Sequence, residues 1–192
     1  MQTGNAPALF RCLTALYDHP PRAYHNLTHV RDLLSIFDED RSLVRSADAV
    51  EFAIWLHDCV FVAGREDNEI LSADVARAFL TALRSEKGFA SGVAEMILAT
   101  RHDGPASNPD AQLTADVDLA MLAVSRDQFQ ENGRRLRSEY TDFNDAQFQE
   151  GRRSFIERFL ARPFIYQTTP FREKYEAAAR VNLSREQAVM KS

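Results

Sequence analysis

The sequence has 192 residues, 45% of them hydrophobic and 27% charged, which predicts one soluble globular domain spanning 1–192. A net charge of −5 argues against non-specific binding of nucleic acid, and no apolar run reaches the roughly 18 residues that a membrane span needs. Two cysteines are present and the N-terminus lacks the basic and apolar regions of a signal peptide, so we expect a cytoplasmic protein.

Apolar residues recur at helical spacing from the N-terminus onward. The first stripe covers 9–17 and is broken by the turn residues at 19–22, where we expect a solvated His19. A second stripe covers 27–37. Residues 50–62 are apolar nearly all round, which predicts a central buried helix.

The second half of the chain continues the helical pattern. Three further stripes cover 73–83, 93–100 and 112–123. The segment SRDQ at 125–128 matches a capping box and predicts a helix that reaches Tyr140. A stripe over 148–160 follows, and Thr169 with Pro170 is typical of an N-cap and the first helical residue. No strand alternation is found, so the predicted fold class is all-α, with about eight or nine helices.

The apolar run 52–63 contains His57 and Asp58 side by side. A buried carboxylate without partners costs several kcal/mol, so such a group is paired, hydrogen-bonded or bound to a metal. Either Asp58 points to water from a helix that is otherwise core, or the two residues are ligands of an interior metal. On a helix their side chains would diverge by about 100°, so a shared ion would have to lie between them.

Two other segments carry possible ligands. His25 and His29 are four residues apart and share a face if both are helical, but a helix that starts near Asn26 would leave only His29 on its body. Asp116 and Asp118 lead into an apolar run, where a carboxylate is either an N-terminal charge favoured by the helix dipole or another ligand.

Two histidines and two aspartates make a mixed nitrogen and oxygen ligand set. Such a set suits Mn²⁺, Mg²⁺, Fe²⁺, Co²⁺ or Zn²⁺. The absence of sulfur ligands argues against a purely structural zinc site.

The segments YHNLTHV, WLHDCVF, DNEILSA, TRHDG and DVDLAML together resemble the HD-domain phosphohydrolases of bacteria over nearly the whole chain. The resemblance implies the helical HD fold, metal-dependent hydrolysis of a phosphate ester and four metal ligands: His29, His57, Asp58 and Asp118. It favours Asp118 over Asp116, because Asp118 immediately precedes Leu119 as in the family's "DL" step.

YHNLTH also resembles a signature of the cyclic nucleotide phosphodiesterases, which share the helical HD core. That resemblance implies that His25 is the general acid that protonates the leaving oxygen. Phosphodiesterases usually carry a second histidine three residues beyond the HD aspartate, where this chain has Phe61. The difference weakens the expectation of a binuclear site and of a cyclic nucleotide substrate. A second ion would need Asp58 to bridge and His102 or Glu69 to contribute.

Several residues near these motifs have two interpretations. Glu69 either orients or deprotonates a water at the metal, or it is a first-turn glutamate that favours the helix dipole. We expect Arg101, His102 and Asn68 to bind substrate, although cations are favoured at a helix C-terminus in any case and Asn68 could be a cap. The arginine-rich segment 134–140 is typical of a solvated face, with phosphate binding as the alternative.

The predicted function is hydrolysis of a small phosphate ester, such as a nucleotide, by a metal-dependent enzyme that binds neither nucleic acid nor membrane. Two other functions are compatible with the sequence. One is a module that binds a nucleotide or a metal without turnover, and the other is a helical scaffold with polar core pairs.

Overall fold

In a computed structural model of the protein, which describes residues 6–18 and 22–190, nine α-helices follow one another without an intervening strand. The helices are α1 (Ala6–Tyr17), α2 (Leu27–Asp40), α3 (Ala47–Leu56), α4 (Asn68–Ala82), α5 (Phe89–Ala99), α6 (Pro109–Leu119), α7 (Arg126–Glu139), α8 (Asp145–Leu160) and α9 (Thr169–Met190). Short 3-10 helices at Arg41–Leu43 and Ala120–Ala123 follow α2 and α6. For this part of the chain the all-α prediction is confirmed, whereas the predicted turn at His19 lies largely outside the described residues.

The buried apolar side chains form one cluster to which all nine helices contribute. Helix α3 lies inside this cluster, in contact with α2, α4, α5 and α6. Its residues Val50, Ala53 and Leu56 are fully buried, as the predicted central helix requires. None of the helices in the described ranges is long and apolar enough to cross a membrane.

Helix α3 is shorter than its apolar run, and the prediction that it continues to residue 62 is wrong. It ends at Leu56, and the backbone after it bonds to side chains of α4. The Ser72 hydroxyl accepts from Val60 N–H at 3.1 Å and lies 3.2 Å from Val60 O. The Asn68 amide exchanges two hydrogen bonds with the backbone of Val62, at 3.0 and 2.9 Å. These side chains satisfy backbone groups that a longer helix would have paired internally.

Two buried carboxylates of α6 anchor the starts of other helices. Asp110 accepts the N–H groups of Arg45 and Ser46, each at 2.9 Å, just before α3. Asp116 accepts the N–H groups of Gln167 and Thr168, each at 2.7 Å, just before α9. Residues two apart on a helix point in directions about 200° apart. Because Asp116 faces the start of α9, the carboxylate two residues further on, Asp118, points away from α9.

The helix starts agree with the predicted signals in part. Ser125 caps α7, but the side chain of Gln128 donates to Asn132 and does not accept the backbone N–H of Ser125, so the predicted capping box is half formed. A complete capping box that the sequence analysis missed opens α8. Thr169 is the first residue of α9 and not its N-cap.

Candidate metal centre

His29, His57 and Asp118 come from three separate parts of the chain and meet in the interior. One nitrogen or oxygen atom from each lies within 4.8 Å of the others. Asp118 Oδ1 is 3.7 Å from His29 Nε2 and 3.6 Å from His57 Nε2. Because Asp118 is at the C-terminal end of α6, the alternative that it is an N-terminal helix charge is wrong.

Asp58 joins this group through both histidines. Its Oδ2 lies 2.9 Å from His57 Nε2 and 3.8 Å from His29 Nε2. The residue is 8% exposed, so the alternative in which Asp58 points to water is wrong. The expected divergence of His57 and Asp58 around a helix does not arise, because α3 ends at Leu56. All four predicted ligands are thus brought together.

The orientation of His57 suits a metal ligand. Its Nδ1 lies 2.9 Å from the carbonyl oxygen of Ile54, which accepts a hydrogen bond and so places the ring proton on Nδ1. The other nitrogen, Nε2, is buried and lies 2.9 Å from Asp58 Oδ2 and 3.6 Å from Asp118 Oδ1, but no contact within the described residues has the geometry of a hydrogen bond to it. A buried polar atom without a hydrogen bond costs about 1–3 kcal/mol. A cation between His57 and the two aspartates would remove that cost, so the donor set fits a divalent ion.

The electrostatics of the cluster also favour a cation. Burial lowers the pKa of His57, but the charges of Asp58 and Asp118 outweigh it and raise that pKa well above its usual value. Burial raises the pKa of Asp58, but the charge of His57 and that of His25 outweigh it and hold the pKa well below its usual range. The two shifts are two sides of the same attraction between histidines and carboxylates, and the first of them shows that Asp58 and Asp118 stabilise positive charge at His57.

His25 lies just before α2 and not on it. The helix begins at Leu27, and Asn26 caps it by accepting the N–H groups of Thr28 and His29. The alternative in which a helix starts near Asn26 is therefore the correct one, and only His29 projects from the helix body. The ring of His25 stacks on Phe61 at a centroid distance of 3.9 Å.

A buried glutamate that the sequence analysis missed holds His25 in place. Glu139 is 4% exposed, and its Oε2 lies 2.6 Å from His25 Nδ1. Its Oε1 accepts the N–H groups of Tyr24 and His25 at 2.6 and 2.9 Å. Burial raises the pKa of Glu139, but the hydrogen bond from His25 outweighs it and the net pKa is lowered. Nothing in the arginine-rich segment 134–140 marks this residue, which we expected on a solvated face.

Glu69 and Asn68 open α4 beside the cluster. Glu69 is in the first turn, and burial together with the charges of Asp58 and Asp118 raises its pKa. Asn68 is not the N-cap, since that position belongs to Asp67. Its amide bonds to the backbone of 62–65, so it holds the loop after Asp58 in place.

Arg101 and His102 follow the end of α5 but differ in their contacts. Arg101 Nε lies 2.9 Å from Asp103 Oδ2. His102 has a left-handed backbone, with φ of 55°, and its Nε2 lies 2.8 Å from Asp118 Oδ2. The carbonyl oxygen of His102 also accepts a hydrogen bond from Arg162. His102 therefore orients Asp118, a contact that the sequence analysis did not predict.

These residues face a cavity of about 680 Å³. Asp116 does not line it, whereas nine of the residues singled out from the sequence do: His25, His29, His57, Asp58, Asn68, Glu69, Arg101, His102 and Asp118. The opposite wall comes from α7 and α8, which the sequence analysis interpreted as core stripes and solvated faces.

No protein-family model, no curated protein and no solved structure matches this chain. The likeness to the HD-domain phosphohydrolases therefore rests on the sequence motifs.

Proposed function

We propose that this protein is a metal-dependent phosphohydrolase that acts on a small phosphate ester. The observation that carries the proposal is the convergence of two histidines and two aspartates in one cavity with His25, whose ring is held by a buried glutamate. The order of these residues along the chain, which resembles that of HD-domain phosphohydrolases, supports it further.

Four residues would hold the ion: His29, His57, Asp58 and Asp118. A divalent ion, when bound there, supplies an activated water and polarises a phosphoryl oxygen. His102 keeps Oδ2 of Asp118 occupied, which leaves Oδ1 directed at His29 and His57.

His25 would protonate the leaving oxygen. Its Nδ1 is bonded to Glu139, so Nε2 is the nitrogen that can exchange a proton in the cavity. The carboxylate of Glu139 fixes the orientation of the ring through Nδ1, so that Nε2 faces the cavity for the transfer.

Two further side chains have roles in this proposal. Glu69 has a raised pKa caused by burial and would accept a proton from the attacking water. Arg101 lines the cavity and would neutralise charge on the phosphoryl oxygens. Its pairing with Asp103 is at the surface, where such a pair is worth about 0–1 kcal/mol and is readily exchanged for phosphate.

The test is a turnover assay on protein loaded with manganese or cobalt, against a panel of nucleotides and other phosphate esters. We expect turnover that is lost on chelation and restored by the ion. Protein that binds the ion but hydrolyses no ester of the panel would instead be the binding module without turnover, and the proposal would be wrong.

A further inference from the structure

The cavity is larger than the proposed reaction needs. Pockets of roughly 300–1,000 Å³ take a whole drug-sized molecule, and a volume of about 680 Å³ falls within that range. A phosphoryl group and an ion occupy a small part of it. The remaining space must receive the alcohol portion of the ester, and the side chains around that space indicate its chemistry.

One wall of the cavity is built mainly from aromatic rings, and we call it the aromatic wall. Its members are Phe129, Tyr140, Phe143, Phe148 and Phe155. The ring centroid of Tyr140 lies 5.4 Å from that of Phe143 and 5.3 Å from that of Phe148, with interplanar angles of 63° and 68°. Edge-to-face contacts of this kind are favourable between aromatic rings, and a flat ligand ring would extend them.

Arg152 supports the aromatic wall and is not available to bind a phosphate. Its guanidinium lies 5.7 Å from the ring centroid of Phe129 and 5.0 Å from that of Phe155. Two of its nitrogens bond to the two carboxylate oxygens of Glu186, at 2.9 and 2.8 Å. The charge of Arg152 is therefore neutralised within the protein.

The other charges on this side of the cavity are few. Arg65 donates to both carboxylate oxygens of Asp67, each at 2.7 Å, whereas Arg101 has a single contact with Asp103. Arg158 is exposed and stacks over Phe155, and no carboxylate of the described ranges forms an ion pair with it. Exposed Glu66 also lines the cavity, and its negative charge is opposite in sign to that of Arg158. A second phosphate, with about two negative charges, would thus find no cluster of free cations.

We propose that the aromatic wall binds an uncharged flat ring on the alcohol portion of the substrate, and that the substrate carries a single phosphoryl group. This inference rests on the proposed function, because it takes the phosphoryl group to lie at the histidine and aspartate cluster.

The experiment measures binding by calorimetry to the manganese-loaded protein, with propyl phosphate, phenylpropyl phosphate and propanediol bisphosphate. Burial of the phenyl ring should make phenylpropyl phosphate bind at least about tenfold more tightly than propyl phosphate. The bisphosphate should bind no more tightly than propyl phosphate. Equal affinity for the two monophosphates, or tightest binding of the bisphosphate, would overturn the inference.

Variants locate the effect on the aromatic wall. Phe155→Leu should reduce the preference for the phenyl ester about 2- to 12-fold and leave the affinity for propyl phosphate unchanged. Phe164→Leu is the matched control, since Phe164 is 51% exposed and does not line the cavity. If Phe155→Leu does not fold, Phe148→Leu tests the same wall. An unchanged preference in the folded wall variant would overturn the inference.

Turnover of the same esters separates this inference from the proposed function. Preferential binding of the phenyl ester without hydrolysis would support the aromatic subsite and contradict the phosphohydrolase. Hydrolysis of both monophosphates with equal kcat/KM and equal affinity would support the phosphohydrolase and contradict the aromatic subsite.

Discussion

Glu139 Oε2 lies 2.6 Å from His25 Nδ1, although the two residues are 114 positions apart in the chain. The same carboxylate binds the backbone N–H groups of Tyr24 and His25 through its other oxygen. Glu139 therefore fixes both the position of the segment before α2 and the orientation of the ring that we propose as the general acid.

Glu139→Gln should lower kcat by about 100-fold and leave the metal content unchanged. The amide oxygen can still accept the backbone hydrogen bonds, whereas the carboxylate that orients the ring of His25 through Nδ1 is lost. Elemental analysis and steady-state kinetics measure the two effects. Glu150→Gln, at an exposed glutamate paired with Arg153, is the matched control and should leave both unchanged. Loss of the ion in Glu139→Gln would mean that Glu139 supports the metal centre instead.

His25→Ala should retain the ion and lose at least about 100-fold in turnover of esters with poor leaving groups. The loss should be smaller for a nitrophenyl ester, because that leaving group needs little protonation. The ratio of the two kcat values is the readout. Equal, mild losses with both esters would contradict the general-acid role, and a missing ion would make His25 a ligand.

Asp118→Asn should affect metal binding and Asp116→Asn should affect stability, although the residues are only two positions apart. Asp118→Asn should lose the ion, because Oδ1 of Asp118 faces both histidines. Asp116→Asn should keep the ion but lose about 1–3 kcal/mol of unfolding free energy, because an amide nitrogen, which cannot accept, replaces one of the two oxygens that bind the N–H groups of Gln167 and Thr168. Metal analysis and denaturant unfolding distinguish them, and the reverse pattern would show that Asp116 is the ligand.

The ion should also stabilise the folded protein. With free ion at one hundred times its Kd, binding adds about 2.7 kcal/mol to the unfolding free energy, which for a chain of this size raises Tm by about 5–10 °C. Chelation should reverse the shift. Asp58→Ala should bind no ion and show no shift, and an unchanged metal content of about one ion in this variant would exclude Asp58 as a ligand.

Gly64→Ala and Gly92→Ala should change Tm in opposite directions. Gly64 has a φ of +82°, and a Cβ there would overlap Cζ of Phe143. The substitution should therefore lower Tm and disturb the contact between the loop after Asp58 and the aromatic wall. Gly92 is within α5 with open space around it, so alanine should add roughly 0.5–1 kcal/mol of stability. Differential scanning calorimetry measures both changes, and a Tm for Gly64→Ala at or above that of the parent would contradict the close contact.

The helices and the candidate ligands could be predicted from the sequence by itself. Helical periodicity depends on neighbours three and four residues apart, so the stripes at 27–37 and 93–100 were sufficient to predict α2 and α5. The unusual position of His57 and Asp58 in an apolar run also indicated the centre of the site, because burial of charge needs a compensating partner wherever it occurs.

The tertiary structure decided the features that depend on distant residues. Whether α3 ended at Leu56 or at 62 depended on hydrogen bonds from Ser72 and Asn68. The different surroundings of Asp116 and Asp118 depended on the backbone before α9, which donates hydrogen bonds to Asp116. Glu139 is one of many charged residues in its segment, and its contacts with Tyr24 and His25, before α2, accompany its burial. Local periodicity carries no information about such pairings, since they are set by how whole helices pack against one another.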